Sequence, residues 1–198
     1  MSGTIGDGQR AAIKEACTAA SRLIPESSRK SSFIAIGGAA ILHYGGSRKT
    51  LDVDFAITTE TLDAFDTAAA NTAHFKYYES LKQWEYSCQG PSTKDITVTF
   101  DFLLIGGEQV SRIRATEESG HAYVASITDL ALLKAIAYMD DPSREKDLGD
   151  FKFCIRKMIG KKVKFVDLNE EEDDALKYIT KKLDAEDKMI MAELRKKK

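Results

Sequence analysis

Cysteine is scarce in this chain: three residues in 198, Cys17, Cys88 and Cys154, all far apart. No C-x-x-C pair occurs, so neither a disulfide framework nor a thiolate zinc knuckle is expected; reduced thiols in a cytosolic or nuclear compartment are the default, and the cytoplasm is the expected location. Histidine is equally scarce, and His43, His74 and His121 lack metal-ligand spacing. Proline also occurs only three times, and no internal repeat or low-complexity linker interrupts the chain. No stretch approaches the roughly 18–20 apolar residues that span a bilayer. Residues 1–10 are polar, without the apolar run of a signal peptide. Charge of one sign is missing too: 29 Lys and Arg stand against 31 Asp and Glu, a net charge of −2. That balance excludes a strong basic field over the whole protein, so no extended nucleic-acid duplex is expected as a partner. What remains is the mixture of a soluble globular protein, 43% apolar and 30% charged. The length fits one domain, or one domain with a small appendage.

Hydrophobic periodicity places the elements. Residues 11–23 carry alanines at helical spacing, ended by Pro25, and residues 27–32 read as a polar loop. Residues 33–36 are a short apolar run stopping at Gly37-Gly38, which predicts a buried strand followed by a turn. A short helix over 39–44, a strand over 51–57 and a helix over 61–71 follow. Strands are expected over 74–78, a candidate edge, and over 84–89. Residues 95–105 alternate most clearly: Ile96, Val98, Phe100, Phe102 and Leu104 form an apolar face, and Asp95, Thr97, Thr99, Asp101 and Leu103 a more polar one. Residues 121–124 suggest one more strand. From Ser126 the pattern turns helical. Ser126 with Asp129 resembles a capping arrangement. Asp141-Pro142 predicts a helix start, and Gly160 its end. Residues 169–198 read as one long charged helix with a thin apolar face. The layout is an α/β or α+β core over 1–125 with a helical C-terminal part over 126–198.

The chemistry concentrates in residues 33–57. Gly37-Gly38 lies between a strand and a helix, where glycine lets a phosphate approach the backbone and the helix start supplies free N–H groups. Glycine there also serves turn sterics alone. The sequence has neither a G-x-x-x-x-G-K-[ST] nor a G-x-G-x-x-G motif. Asp52 and Asp54 share one face of their strand, roughly 7 Å apart, with Val53, Phe55 and Ile57 on the other. Two such carboxylates repel unless a cation lies between them, and hard oxygen ligands suit Mg²⁺. A solvated surface strand is the plainer alternative. Asp101 sits mid-strand between Phe100 and Phe102 and needs a partner, either a metal or an arginine. If its strand lies beside 51–57, three carboxylates converge. The cluster Tyr77, Tyr78, Trp84 and Tyr86 reads as strand core rather than a base-stacking surface. His43 reads as packed, and Lys134 shares a semi-apolar helix face with Leu130 and Tyr138. Asp147 and Asp150, three apart on one helix face, could anchor Lys134 or Arg48. Arg195 to Lys198 close the chain with four cations that could brush RNA or an acidic partner.

The run G-G-A-A at 37–40 followed by G-S-R-K-T-L-D-V-D-F at 46–55 resembles the nucleotidyltransferase superfamily. Its G-x-R-x-T-x-D-[IV]-D portion further resembles the abortive-infection (AbiEii-type) toxin nucleotidyltransferases. Lys134 and the K-D-x-x-D segment at 146–150 match later features of that branch. The resemblance covers about 33–153. It implies a mixed-sheet core flanked by helices and transfer of a nucleoside monophosphate from an NTP, ATP or another, to an acceptor hydroxyl. On that implication Gly37 and Gly38 hold phosphates, Asp52, Asp54 and Asp101 bind Mg²⁺ with Asp101 helping to activate the acceptor, and Arg48 and Lys134 meet the triphosphate. One departure is Ala39, where many members place a phosphate-binding serine. The acceptor, whether small molecule, protein or RNA end, is not legible, nor is the base. A non-catalytic nucleotide- or partner-binding protein on the same scaffold is the alternative.

Overall fold

A computed structural model describes residues 6–196. Residues 1–5, Lys197 and Lys198, the last two belonging to the basic tail, lie outside the described residues. The chain divides into two compact units, Met1–Ala125 and Ser126–Lys198.

The first unit runs α1 (Asp7–Arg22), α2 (Glu26–Ser32), β1 (Phe33–Ile36), α3 (Gly37–His43), β2 (Asp52–Ile57), α4 (Thr59–Ala70), β3 (Phe75–Tyr78), β4 (Gln83–Ser87), β5 (Thr97–Leu104), β6 (Thr116–Ser119) and β7 (Ala122–Ala125). The strands form one mixed sheet in the order β3-β4-β5-β2-β1-β7-β6. β2 pairs parallel with β5 and antiparallel with β1, and β1 pairs parallel with β7. All four residues of β1 are buried, as its unbroken apolar run predicts for an interior strand. β5 alternates as expected through Val98 and Phe100, but Leu104 is 45% exposed, because the strand has reached its end there. β3 is an edge strand, and of its aromatics Tyr77 is exposed, whereas Trp84 and Tyr86 on β4 are buried. Phe65 of α4 plugs the aromatic core, within 6.2 Å of the rings of Phe33, Phe75, Trp84, Phe100 and Phe102. The Trp84 indole N–H is satisfied by Asp66 at 2.8 Å.

Two local expectations change in this unit. Residues 27–32 are not a loop but the helix α2. Pro25 stands at its N-cap with its fixed φ near −54°, and Arg29 holds the Ile24 carbonyl at 2.8 Å. The hairpin strand β6 was not expected, since T-E-E-S has no apolar alternation; it pairs with β7 as a sheet edge.

The second unit contains α5 (Ile127–Asp140), α6 (Glu145–Lys161), α7 (Glu170–Thr180) and α8 (Ala185–Leu194). Ser126 caps α5 by accepting the Asp129 N–H at 3.1 Å. Asp141 does not cap α6. Its carboxylate instead accepts the Ser143 N–H and hydroxyl, closing a local turn, and the helix starts at Glu145. Gly160 lies inside α6, which ends at Lys162 in the left-handed conformation. The single helix expected over 169–198 is two. Asn169 and Glu172 form a capping box at the start of α7, and Asp184 caps α8 through the Asp187 N–H at 3.0 Å. α7 packs on α5 and α8 on α6, which one straight rod could not do.

Candidate active site

The site is built where β1 ends. Ile36 stands opposite Asp54 of β2, and Asp54 stands opposite Asp101 of β5. Asp52 is two residues earlier on β2, opposite Thr99. The pleat therefore turns Asp52, Asp54 and Asp101 to one face, while Val53, Phe55 and Phe100 point into the core from the other. Neighbouring strands lie roughly 5 Å apart, so Asp54 and Asp101 stand side by side, the arrangement in which like charges destabilise a sheet. Asp52 and Asp54 are partly buried and Asp101 is exposed.

The glycine turn closes over this face. Gly37 has φ +60°, and a Cβ there would fall on the Asp54 carboxylate. A Cβ on Gly38 would lie 2.5 Å from the Thr50 hydroxyl and 2.9 Å from the Arg48 guanidinium. Both glycines are thus required by close approach, and the same approach draws Asp54, Thr50 and Arg48 around the start of α3.

Three supporting residues were not singled out from the sequence. Thr50, 4% exposed, donates its hydroxyl to Asp52 Oδ1 at 2.7 Å. Gln83 Nε2 donates to Asp101 Oδ1 at 2.8 Å. Arg10 of α1 donates to the carbonyls of Leu42 at 3.3 Å and Gly46 at 2.9 Å, tying down the end of α3 and the loop leading to Arg48. Thr50 was visible as the threonine of the 46–54 motif. Gln83 and Arg10 carried no signal, because their partners are distant in sequence.

Lys134 belongs to the second unit and is buried there. Its ammonium lies 2.6 Å from Asp147 and 3.1 Å from Asp150, and Arg144 Nε reaches Asp147 at 2.6 Å. Asp147 and Asp150 thus anchor Lys134, and a triphosphate contact by Lys134 would compete with both. His43 is exposed rather than packed, with Nδ1 3.1 Å from the Ser119 hydroxyl. The three cysteines are unpaired, and burial pushes the Cys17 and Cys88 thiols up to about 12 and about 11.

As a donor set, three carboxylates on one face suit a hard divalent cation such as Mg²⁺. Among the described residues no three His, Cys, Asp or Glu side chains are gathered as metal ligands. Asp52 is turned to Thr50, Asp101 to Gln83, and Asp54 to the Gly37 backbone. Among the described residues no helix is long and apolar enough to cross a membrane.

No protein-family model matches the sequence, and neither does any curated protein. Solved structures do match. An antigenic nucleotidyltransferase-like protein from Paracoccidioides brasiliensis shares 18% identity over 95% of each chain, with a TM-score of 0.67. JHP933 from Helicobacter pylori shares 16% identity over 91% of this chain and 81% of its own, with a TM-score of 0.51. The fold is the nucleotidyltransferase-like mixed α/β fold.

Proposed function

We propose that this protein is a Mg²⁺-dependent nucleotidyltransferase, moving a nucleoside monophosphate from an NTP to an acceptor hydroxyl with release of pyrophosphate. The observation that carries the reading is the pairing of Asp54 with Asp101 beneath the Gly37–Gly38 turn, with Asp52 on the same face. Like carboxylates held side by side on a sheet are unfavourable without a cation, and phosphate-binding backbone beside them is what a nucleotide–metal complex requires.

In this reading Asp52, Asp54 and Asp101 would hold the cation, whose charge would supply neutralisation of the triphosphate and a more acidic acceptor hydroxyl. Gly37 and Gly38 present backbone to the phosphates, doing without the hydroxyl that Ala39 lacks. Arg48, beside Gly38, supplies a fixed positive charge. Asp101 accepts the proton of the attacking hydroxyl. Thr50 and Gln83 orient the Asp52 and Asp101 carboxylates, so catalysis is positioning and electrostatics, with no covalent enzyme intermediate. The unpaired thiols favour the cytoplasm as its compartment. The finer kinship with abortive-infection toxin nucleotidyltransferases rests on the 46–54 run. A non-catalytic nucleotide-binding role is favoured by Ala39 and by the engagement of Lys134 with Asp147 and Asp150.

The test is transfer of label from α-³²P NTPs in Mg²⁺ to a panel of RNA, protein extract and small hydroxylated acceptors. Labelling of one acceptor class is expected, with Asp54→Ala reducing it at least a hundredfold while the chain stays folded by circular dichroism. Equal labelling by wild type and variant, or nucleotide binding without pyrophosphate release, would reject the assignment.

A further inference from the structure

One segment of the first unit leaves the glycine turn and comes back to it. Gly37 and Gly38 begin α3, and the chain after that helix brings Arg48 and Thr50 back within 2.9 Å of where a Gly38 Cβ would stand. The far end of this excursion is a Schellman closure. Gly45 stands at φ +88°, its N–H bonds the Leu42 carbonyl at 3.0 Å, and the Gly46 N–H bonds the Ile41 carbonyl at 2.9 Å. Residues 46–51 then lie outside every helix and strand, so no helical or sheet ladder of main-chain bonds runs along them.

Arg10 of α1 meets this far end. One Nη donates to the Leu42 carbonyl at 3.3 Å and the other to the Gly46 carbonyl at 2.9 Å. Arg10 has no carboxylate partner among the described residues, so its fork is spent on main-chain carbonyls alone. The same helix holds a different segment through Glu15, which accepts the N–H groups of Gln89 and Gly90 and the Thr93 hydroxyl.

We infer that Arg10 is a positioning residue for nucleotide binding: through Gly46 it keeps Arg48 and Thr50 seated against the Gly37–Gly38 turn. The inference rests on the nucleotidyltransferase reading and adds to it a residue outside the 37–54 run. α3 has seven residues, roughly 10 Å of helix, between the glycine turn and the Arg10 end, so Arg10 acts through the loop rather than by contact. Gly46 precedes Arg48 by two residues, and a glycine whose carbonyl is released has wide backbone freedom to pass on. The fork grips the helix end and the loop start together, which fixes one against the other. A lysine ammonium lacks that planar two-point geometry.

The test titrates ATP, GTP, CTP and UTP with Mg²⁺ into the full chain by calorimetry and follows amide hydrogen exchange over residues 45–50. In Arg10→Gln, exchange there is expected to speed up. A loop seated in about a tenth of the molecules lowers the affinity for the NTP that wild type binds roughly tenfold. Arg10→Lys keeps the charge without the fork, so a smaller loss in the same direction is expected, and this variant decides the question should Arg10→Gln not fold by circular dichroism. The control is Glu15→Ala. It frees residues 89–93 from the same helix and should speed exchange there while leaving NTP affinity unchanged. The inference is overturned if the folded Arg10 variants leave either readout unchanged. It is also overturned if Glu15→Ala loses NTP affinity equally, which would make α1 a scaffold without a specific hold on the nucleotide loop. Absence of NTP binding by wild type would overturn the nucleotidyltransferase reading itself, and this inference with it, whereas wild-type binding with indifferent Arg10 variants overturns the inference alone.

Discussion

Asp54 and Asp101 show how a single register decides chemistry. In sequence Asp54 is marked by its D-x-D strand and Asp101 by its place between two phenylalanines, and the register of adjacent parallel strands sets the two side by side. Lys134 is a second case: of the two roles its sequence offered, the structure shows the anchor, with its ammonium 2.6 Å from Asp147 and 3.1 Å from Asp150. Removing one member of a buried charge cluster leaves the others uncompensated, so Lys134→Met is expected to cost about 3–5 kcal/mol of stability. Urea denaturation measures it, and adding Asp147→Asn and Asp150→Asn should recover most of the loss. An unchanged midpoint in the single variant would show that the cluster is not structural. Asp52, Asp54, Gly37 and Gly38 were legible because motif and alternation both mark them. Gln83 was not, since its role exists only once β4 is laid against β5.

At the scale of elements, every strand but β6 was read within two residues, because period-two alternation and glycine stops are local signals that T-E-E-S lacks. Helix starts were harder to place, because a capping side chain chooses among competing backbone partners. Asp141 closes a turn with Ser143 instead of opening α6, and Asp184 opens a helix where the charge pattern ran on without a break. The Asp184 carboxyl is held down to about 2, chiefly by the Asp187 N–H and then by the Lys152 ammonium. An unfolded aspartate titrates near about 3.9. The stabilisation from this cap is therefore complete above about pH 4 and is lost as pH falls toward about 2. The Asp187 amide ¹⁵N shift should titrate with a midpoint near 2 in NMR spectra; a midpoint near 4 would mean the cap carries no charge-dependent stability.

Across the molecule, the first unit depends on one aromatic plug. Phe65 is fully buried and touches rings from β1, β3, β4 and β5, so Phe65→Ala is expected to cost about 3–5 kcal/mol, with a matching fall in the urea midpoint. A loss below about 1 kcal/mol would place the core's centre elsewhere. By itself the sequence determined the α/β beginning and helical end, the glycine turn, and the shared face of Asp52 and Asp54. Those properties follow from periodicity and backbone sterics, which act over a few residues. Only the tertiary structure decided that β5 lies beside β2 with Asp101 at the level of Asp54, that Thr50 and Gln83 hold two of the carboxylates, and that Lys134 is claimed by Asp147 and Asp150. Strand order, cross-strand register and helix–helix packing join residues distant in sequence, and no local pattern encodes them.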